Sequence, residues 1–250
     1  MDKIDKLAEL LKRLNAGENP KNVKEEAQEF LASISSEELM VAEQRLVEAG
    51  LAPEDLRHLC SAHMEMLGDE LSKMKARLKP GHVIHTFVTE HEIILGFLDE
   101  METVNQAIQK LKKYDAQNPA FQKLSNLIDN LLGAEPHHQR EEEALFPAVE
   151  ERGLSGPPRI MRMEHVDLRR RKKELKELVS AVDKIAFKDF QKKTDPAVKL
   201  LIASLRDHIF KENNILYPAA LQIIPEVEVW QQIKAKCDQI GYCSFTPKAA

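Results

Sequence analysis

Hydrophobic residues recur along most of the chain at intervals of three and four, the period of a helix buried on one face. Leu7, Leu10, Leu11 and Leu14 form the first such stripe. Gly17 and Pro20 interrupt it, and a second stripe carries Val23, Ala27, Phe30 and Leu31. Ser35-Ser36-Glu37-Glu38 reads as a helix start, with a hydroxyl as cap and acids in the first turn, ahead of Leu39, Ala42, Leu46 and Val47. Gly50 and Pro53 separate these from a fourth short stripe through Leu56, Leu59 and Cys60. The pattern predicts a small helical module over residues 1–78.

Beyond Lys79-Pro80-Gly81 the stripes lengthen. They predict helices from about Ile84 to Tyr114, Pro119 to Glu151, Pro158 to Ile185 and Pro196 to Ile223. Pro136 lies inside the second and predicts a kink or local break there. Long helices with short connections predict an antiparallel four-helix bundle over residues 79–225. Pro225 ends it, and Glu226 to Ile240 predicts a final helix within a C-terminal segment of residues 226–250. The expected fold class is all-α.

Composition agrees. Only 9 of 250 residues are glycine and 5% are aromatic, which disfavours a β-sandwich or barrel, while 43% hydrophobic residues suffice for a core. A net charge of −5 supplies no basic field for nucleic acid. No apolar run approaches the ~20 residues that a bilayer needs. The opening Met1-Asp2-Lys3-Ile4-Asp5 lacks a signal peptide's apolar core. Cys60, Cys237 and Cys243 are scattered, without a Cys-x-x-Cys pair, which suits free thiols in a reducing cytoplasm. A cytoplasmic protein without membrane or nucleic-acid partners is expected.

The chemistry resides in a repeat. His137-His138-Gln139-Arg140-Glu141-Glu142-Glu143-Ala144-Leu145-Phe146-Pro147 returns 71 residues later as His208-Ile209-Phe210-Lys211-Glu212-Asn213-Asn214-Ile215-Leu216-Tyr217-Pro218. Glu90-His91 is echoed 74 residues on by Glu164-His165. Positions i and i+4 share one helix face, so His137 and Glu141 can address one point, as can His208 and Glu212. His91 and His165 complete a box of four imidazoles and two carboxylates. Nitrogen and oxygen donors without thiolate suit iron, manganese or zinc, and carboxylates can bridge two cations. Six side chains leave coordination positions open for O2, NO, peroxide or water.

His85 lies six residues before His91, about 240° round the helix, and is the alternative to His91 as first-helix ligand, or a seventh ligand. His138 and Glu142 repeat the spacing one step on, without counterparts at Ile209 and Asn213, and read as a bundle flank or as supports for the ligands. The run from Arg169 to Lys173, followed by Glu174 and Glu177, reads as a solvated helix face. The sequence carries no Gly-rich phosphate loop, Ser-His-Asp arrangement or zinc-finger spacing.

On the paired motifs, with Met163-Glu164-His165, residues 80–225 resemble the hemerythrin-like, or HHE cation-binding, family. The resemblance implies a non-haem centre of two iron ions, with His91, His137, His165 and His208 as terminal ligands and Glu141 and Glu212 as bridges. Residues 5–75, with the linker Pro80-Gly81-His82-Val83-Ile84-His85-Thr86-Phe87, resemble the DUF438 module, which implies no activity. Oxygen-carrying hemerythrins have a second third-helix histidine where this chain has Arg169, so reversible O2 transport is not expected. The site is more similar to the branch linked to nitric oxide, oxidative stress and iron–sulfur repair. That branch usually adds a cysteine-bearing N-terminal domain, of which this chain has only Cys60. The expected function is binding or sensing of O2 or NO in oxidative or nitrosative stress, or iron–sulfur protection. The alternatives are a di-iron enzyme consuming NO or peroxide, and an adaptor whose metal is structural. The exposed faces of the short N-terminal helices leave room for a protein partner or a homodimer.

Overall fold

The computed structural model describes residues 74–247, together with residues 5, 6, 9, 10, 13 and 18. The described residues contain helices and no strand, and none of their helices is long and apolar enough to cross a membrane. Of the expected N-terminal module, residues 5, 6, 9, 10 and 13 are helical and Arg13 pairs with Glu18 at 2.7 Å. Its other predicted helices lie outside the described residues.

Helix α1 runs Val83–Gln109, opened by His82, whose Nδ1 accepts from the Ile84 amide at 3.2 Å. Its apolar stripe, from Ile84 and Phe87 through Leu98, Met101 and Ile108, is fully buried. The helix stops five residues short of the predicted Tyr114. Its last carbonyls are satisfied from a neighbouring helix instead. The Gln191 amide nitrogen donates to the carbonyls of Ile108, Gln109 and Leu111 at 2.9, 3.2 and 3.1 Å. Tyr114, released from the helix, sets its ring edge on Phe121 at 4.9 Å.

Helix α2, Pro119–Leu132, starts with Asn118 accepting from the Ala120 amide and Pro119 in the first turn. The break expected near Pro136 falls at Gly133 and Ala134. Beyond it, α3 (Glu135–Arg140), a π-helical turn (Glu141–Leu145) and α4 (Phe146–Glu150) follow without a gap. Gly153, at φ +89°, takes the left-handed turn that leads towards α5, Gly156–Ser180.

Helix α6, Phe187–Lys211, starts nine residues before the predicted Pro196 and passes through it. Proline removes one backbone donor but keeps a helical φ. Core contacts on both sides hold the helix, with Phe190, Val198 and Leu201 fully buried. Phe121 anchors the early turns, 6.1 Å from Phe187 and 6.2 Å from Phe190. The same chain of residues continues as a second π-helical turn (Glu212–Leu216) and α7 (Tyr217–Ile223), and α8 spans Val227–Ile240.

The long helices α1, α2, α5 and α6 form the predicted antiparallel bundle. Leu98, Met101, Leu124, Ile128, Leu168, Leu175, Val198 and Leu201 meet in one core, each contributing about 1.5–3 kcal/mol by leaving water. The polar cluster lies beyond one end of this core, where α1 begins, α3 follows α2 and α5 begins.

Candidate metal centre

The two His-x-x-x-Glu motifs end in the same backbone event. Pro147 has no amide to give to the carbonyl four residues back, and its ring would collide with that carbonyl. The preceding turn widens, so that the Phe146 amide bonds the Glu141 carbonyl, five residues back. Pro218 follows Tyr217 in the same way, with the Tyr217 amide on the Glu212 carbonyl. Each motif carboxylate therefore opens a π turn, a distortion that recurs at functional sites.

His91, His137, Glu141, His165, His208 and Glu212 are all buried. The Nε2 atoms of His91 and His137 lie 3.0 Å apart, and those of His165 and His208 also 3.0 Å. Glu141 Oε2 lies 3.6 Å from His137 Nε2 and 3.5 Å from His165 Nε2, between the two pairs. His138, His165 and His208 have donor atoms within 4.8 Å of one another. His85 does not join them. It is half-buried, one and two-thirds turns before His91 on α1.

Behind the histidines stand carboxylates. His137 Nδ1 meets Glu90 at 2.7 Å, His165 Nδ1 meets Glu142 at 2.7 Å, and His208 Nδ1 meets Glu164 at 2.8 Å. Burial pushes the Glu90 carboxyl up, but hydrogen bonding and charge from His137, Arg140 and Thr246 outweigh it and hold it at about 2. Glu142 is likewise raised by burial and pulled down to about 2 by His165 and Arg169. An ionised carboxylate only accepts, so the facing Nδ1 carries the proton and, in the neutral ring, Nε2 carries the lone pair.

With Nδ1 of both His165 and His208 donating outward, neutral rings would turn their Nε2 lone pairs towards each other at 3.0 Å. That repulsion is relieved by a cation, and the carboxylate–histidine arrangement is the one that orients metal-bound imidazoles. The donor set fits a bound metal.

Arg169 does not point a nitrogen ligand at the site. It pairs with Glu135 at 2.6 Å and with Glu142 at 3.0 Å, supporting the carboxylate that holds His165. His138 is buried and stacks on His165 with centroids 4.0 Å apart and planes 12° apart. Burial, with the charges of His165 and Lys172, pushes its pKa well below the usual imidazole range, so it is neutral. The Glu-His echo in the sequence carried a signal for Glu90 and Glu164; Arg140 and Thr246, the other partners of Glu90, left none.

Comparison with known proteins matches residues 82–220 to the model of the hemerythrin HHE cation binding domain. Residues 7–73 match DUF438, a family of unknown function. Among curated proteins, none matches the chain. With over half its length covered and its histidines and glutamates clustered as a cation site, the chain belongs to the hemerythrin HHE cation-binding family.

Proposed function

We propose that the chain is a non-haem di-iron protein that binds and senses O2 or NO in the cytoplasm under oxidative or nitrosative stress. His91, His137, His165 and His208 serve as terminal ligands and Glu141 and Glu212 as bridges, with manganese or zinc as substitutes. The observation that carries this reading is the pair of imidazole couples, each with Nε2 atoms 3.0 Å apart.

Bound there, two irons supply open coordination positions for a diatomic ligand. The protein's own residues prepare those positions. Glu90, Glu142 and Glu164 fix three rings in the tautomer that presents Nε2 inward. Phe87 stands edge-on to His137 at 5.0 Å, and Phe146 stacks beside His165 at 5.9 Å, keeping water from both rings. His138, neutral and stacked on His165, keeps one N–H available beside the pair.

The test is iron content of anaerobically purified protein, beside a His137→Ala/Glu212→Ala double variant. About two irons per chain, lost in the variant, is the expected result. No iron, or equal iron in both proteins, sinks the reading. Exposure of the reduced protein to NO or O2 separates sensing from turnover: saturable binding fits a sensor, and sustained consumption transfers the assignment to an enzyme.

A further inference from the structure

Helix α8 and the tail after it lie beyond residue 220, where the family match ends, yet they pack on the elements that carry the site. α8 lies against α1, α3 and the π turn Glu141–Leu145. After Gly241 the tail reaches α1, where Phe245 sets its ring edge against Phe97 at 5.3 Å. A turn closed by the Thr246 amide on the Cys243 carbonyl, at 3.0 Å, places the Thr246 hydroxyl on Glu90, to which it donates.

Glu90 is a junction. Its Oε2 accepts from His137 Nδ1 and Arg140 Nη2, and its Oε1 accepts from Arg140 Nη2 and the Thr246 hydroxyl. Arg140 is anchored by its Nε on the Pro136 carbonyl at 3.0 Å and is covered by the tail, with its guanidinium 4.6 Å from the Tyr242 ring and 3.9 Å from Cys243 Sγ. Besides His137, the donors to Glu90 are thus Thr246 of the tail and Arg140, which the tail packs against. A carboxylate gripped on both oxygens cannot swing away from the imidazole it orients.

We propose that the C-terminal tail is a working part of the metal centre: Thr246, acting through Glu90, is a positioning residue for His137 and sets how firmly the His91–His137 side holds its metal. This rests on the metal-centre reading above. The His165–His208 side takes its carboxylates from Glu142 and Glu164 and does not depend on the tail.

The experiment compares cobalt(II)-loaded wild type, Thr246→Val, which keeps the shape without the hydroxyl, and Thr246→Ser, which keeps the hydroxyl. Thr246 is half-buried, so neither change threatens folding. Proton NMR reads the paramagnetically shifted ring N–H resonances, with that of His137 identified by its loss in His137→Ala. Metal release to a chelator is followed in parallel. In Thr246→Val the His137 resonance moves and one of the two metals leaves about 10-fold faster, the low end for groups that orient a metal-bound imidazole; Thr246→Ser matches wild type. A Thr246→Val protein with the wild-type spectrum and release rate overturns the proposal, as does equal acceleration of both metals. Wild type that takes up no cobalt overturns the metal-centre reading itself.

Discussion

Glu90 holds His137 at 2.7 Å, and 74 residues later Glu164 holds His208 at 2.8 Å, in the same relation. In each half of the repeat, one Glu-His dipeptide does two jobs. Its histidine turns inward to face the histidine of a His-x-x-x-Glu motif, and its glutamate grips that histidine from behind. Glu142 ties the halves together, reaching from the first motif to His165 in the second. The repeat therefore supplies both the inward donors and their supports.

Glu164 is the cleaner test of this support, because Glu90 also carries Arg140. Glu164→Gln keeps an acceptor for the His208 N–H but removes the charge that strengthens the bond. Metal affinity, measured by chelator competition, falls about 10-fold. Unchanged affinity would show that the carboxylate is not orienting the ring.

Arg140 is buried with Glu90, and its removal strands a carboxylate out of water. Arg140→Met lowers the stability of the metal-free protein by about 3–5 kcal/mol in urea unfolding. Arg140→Met/Glu90→Leu loses less than Arg140→Met alone, because no uncompensated charge remains. A double variant less stable than Arg140→Met would contradict the pairing.

How much of this was legible in the sequence depended on periodicity. The histidines and glutamates of the two motifs share a helix face by spacing alone, and Pro136 marked the break before α3. Pro196 misled, because a proline's local preference says nothing of Phe190 and Val198, whose burial carries α6 through it. The π turns were not legible: Pro147 and Pro218 lie inside the predicted helices, and helical periodicity does not say that a wider turn precedes each of them. Thr246 could not be found, since a contact across 156 residues leaves no periodic trace.

Pro196 offers a direct test of that lesson. It sits exposed inside a continuous helix, where alanine can restore the missing backbone donor. Pro196→Ala stabilises the protein by roughly 1–3 kcal/mol, raising the thermal midpoint with an unchanged far-ultraviolet spectrum. A lower midpoint would mean that α6 needs the proline's fixed φ.

Lys172 gives the pH dependence. It is buried, with Nζ 3.1 Å from the Leu131 carbonyl, and burial is the main cause that pushes its pKa down from 10.5 to about 8. Between those values the unfolded chain binds the proton and the folded one releases it, so the stability contributed at this site rises with pH. The gain across the window is about 3 kcal/mol at most. Cys237 and Cys243 act in the opposite sense, since burial raises both thiols to about 11 and favours the protonated fold. Comparing wild type with Lys172→Met cancels the thiols, which both proteins share. The stability difference moves in favour of wild type from pH 8 to 10.5 and is flat below pH 8, where Lys172 is charged in both states. A difference that stays constant through pH 10.5 would show that the buried amine keeps its ordinary affinity for the proton.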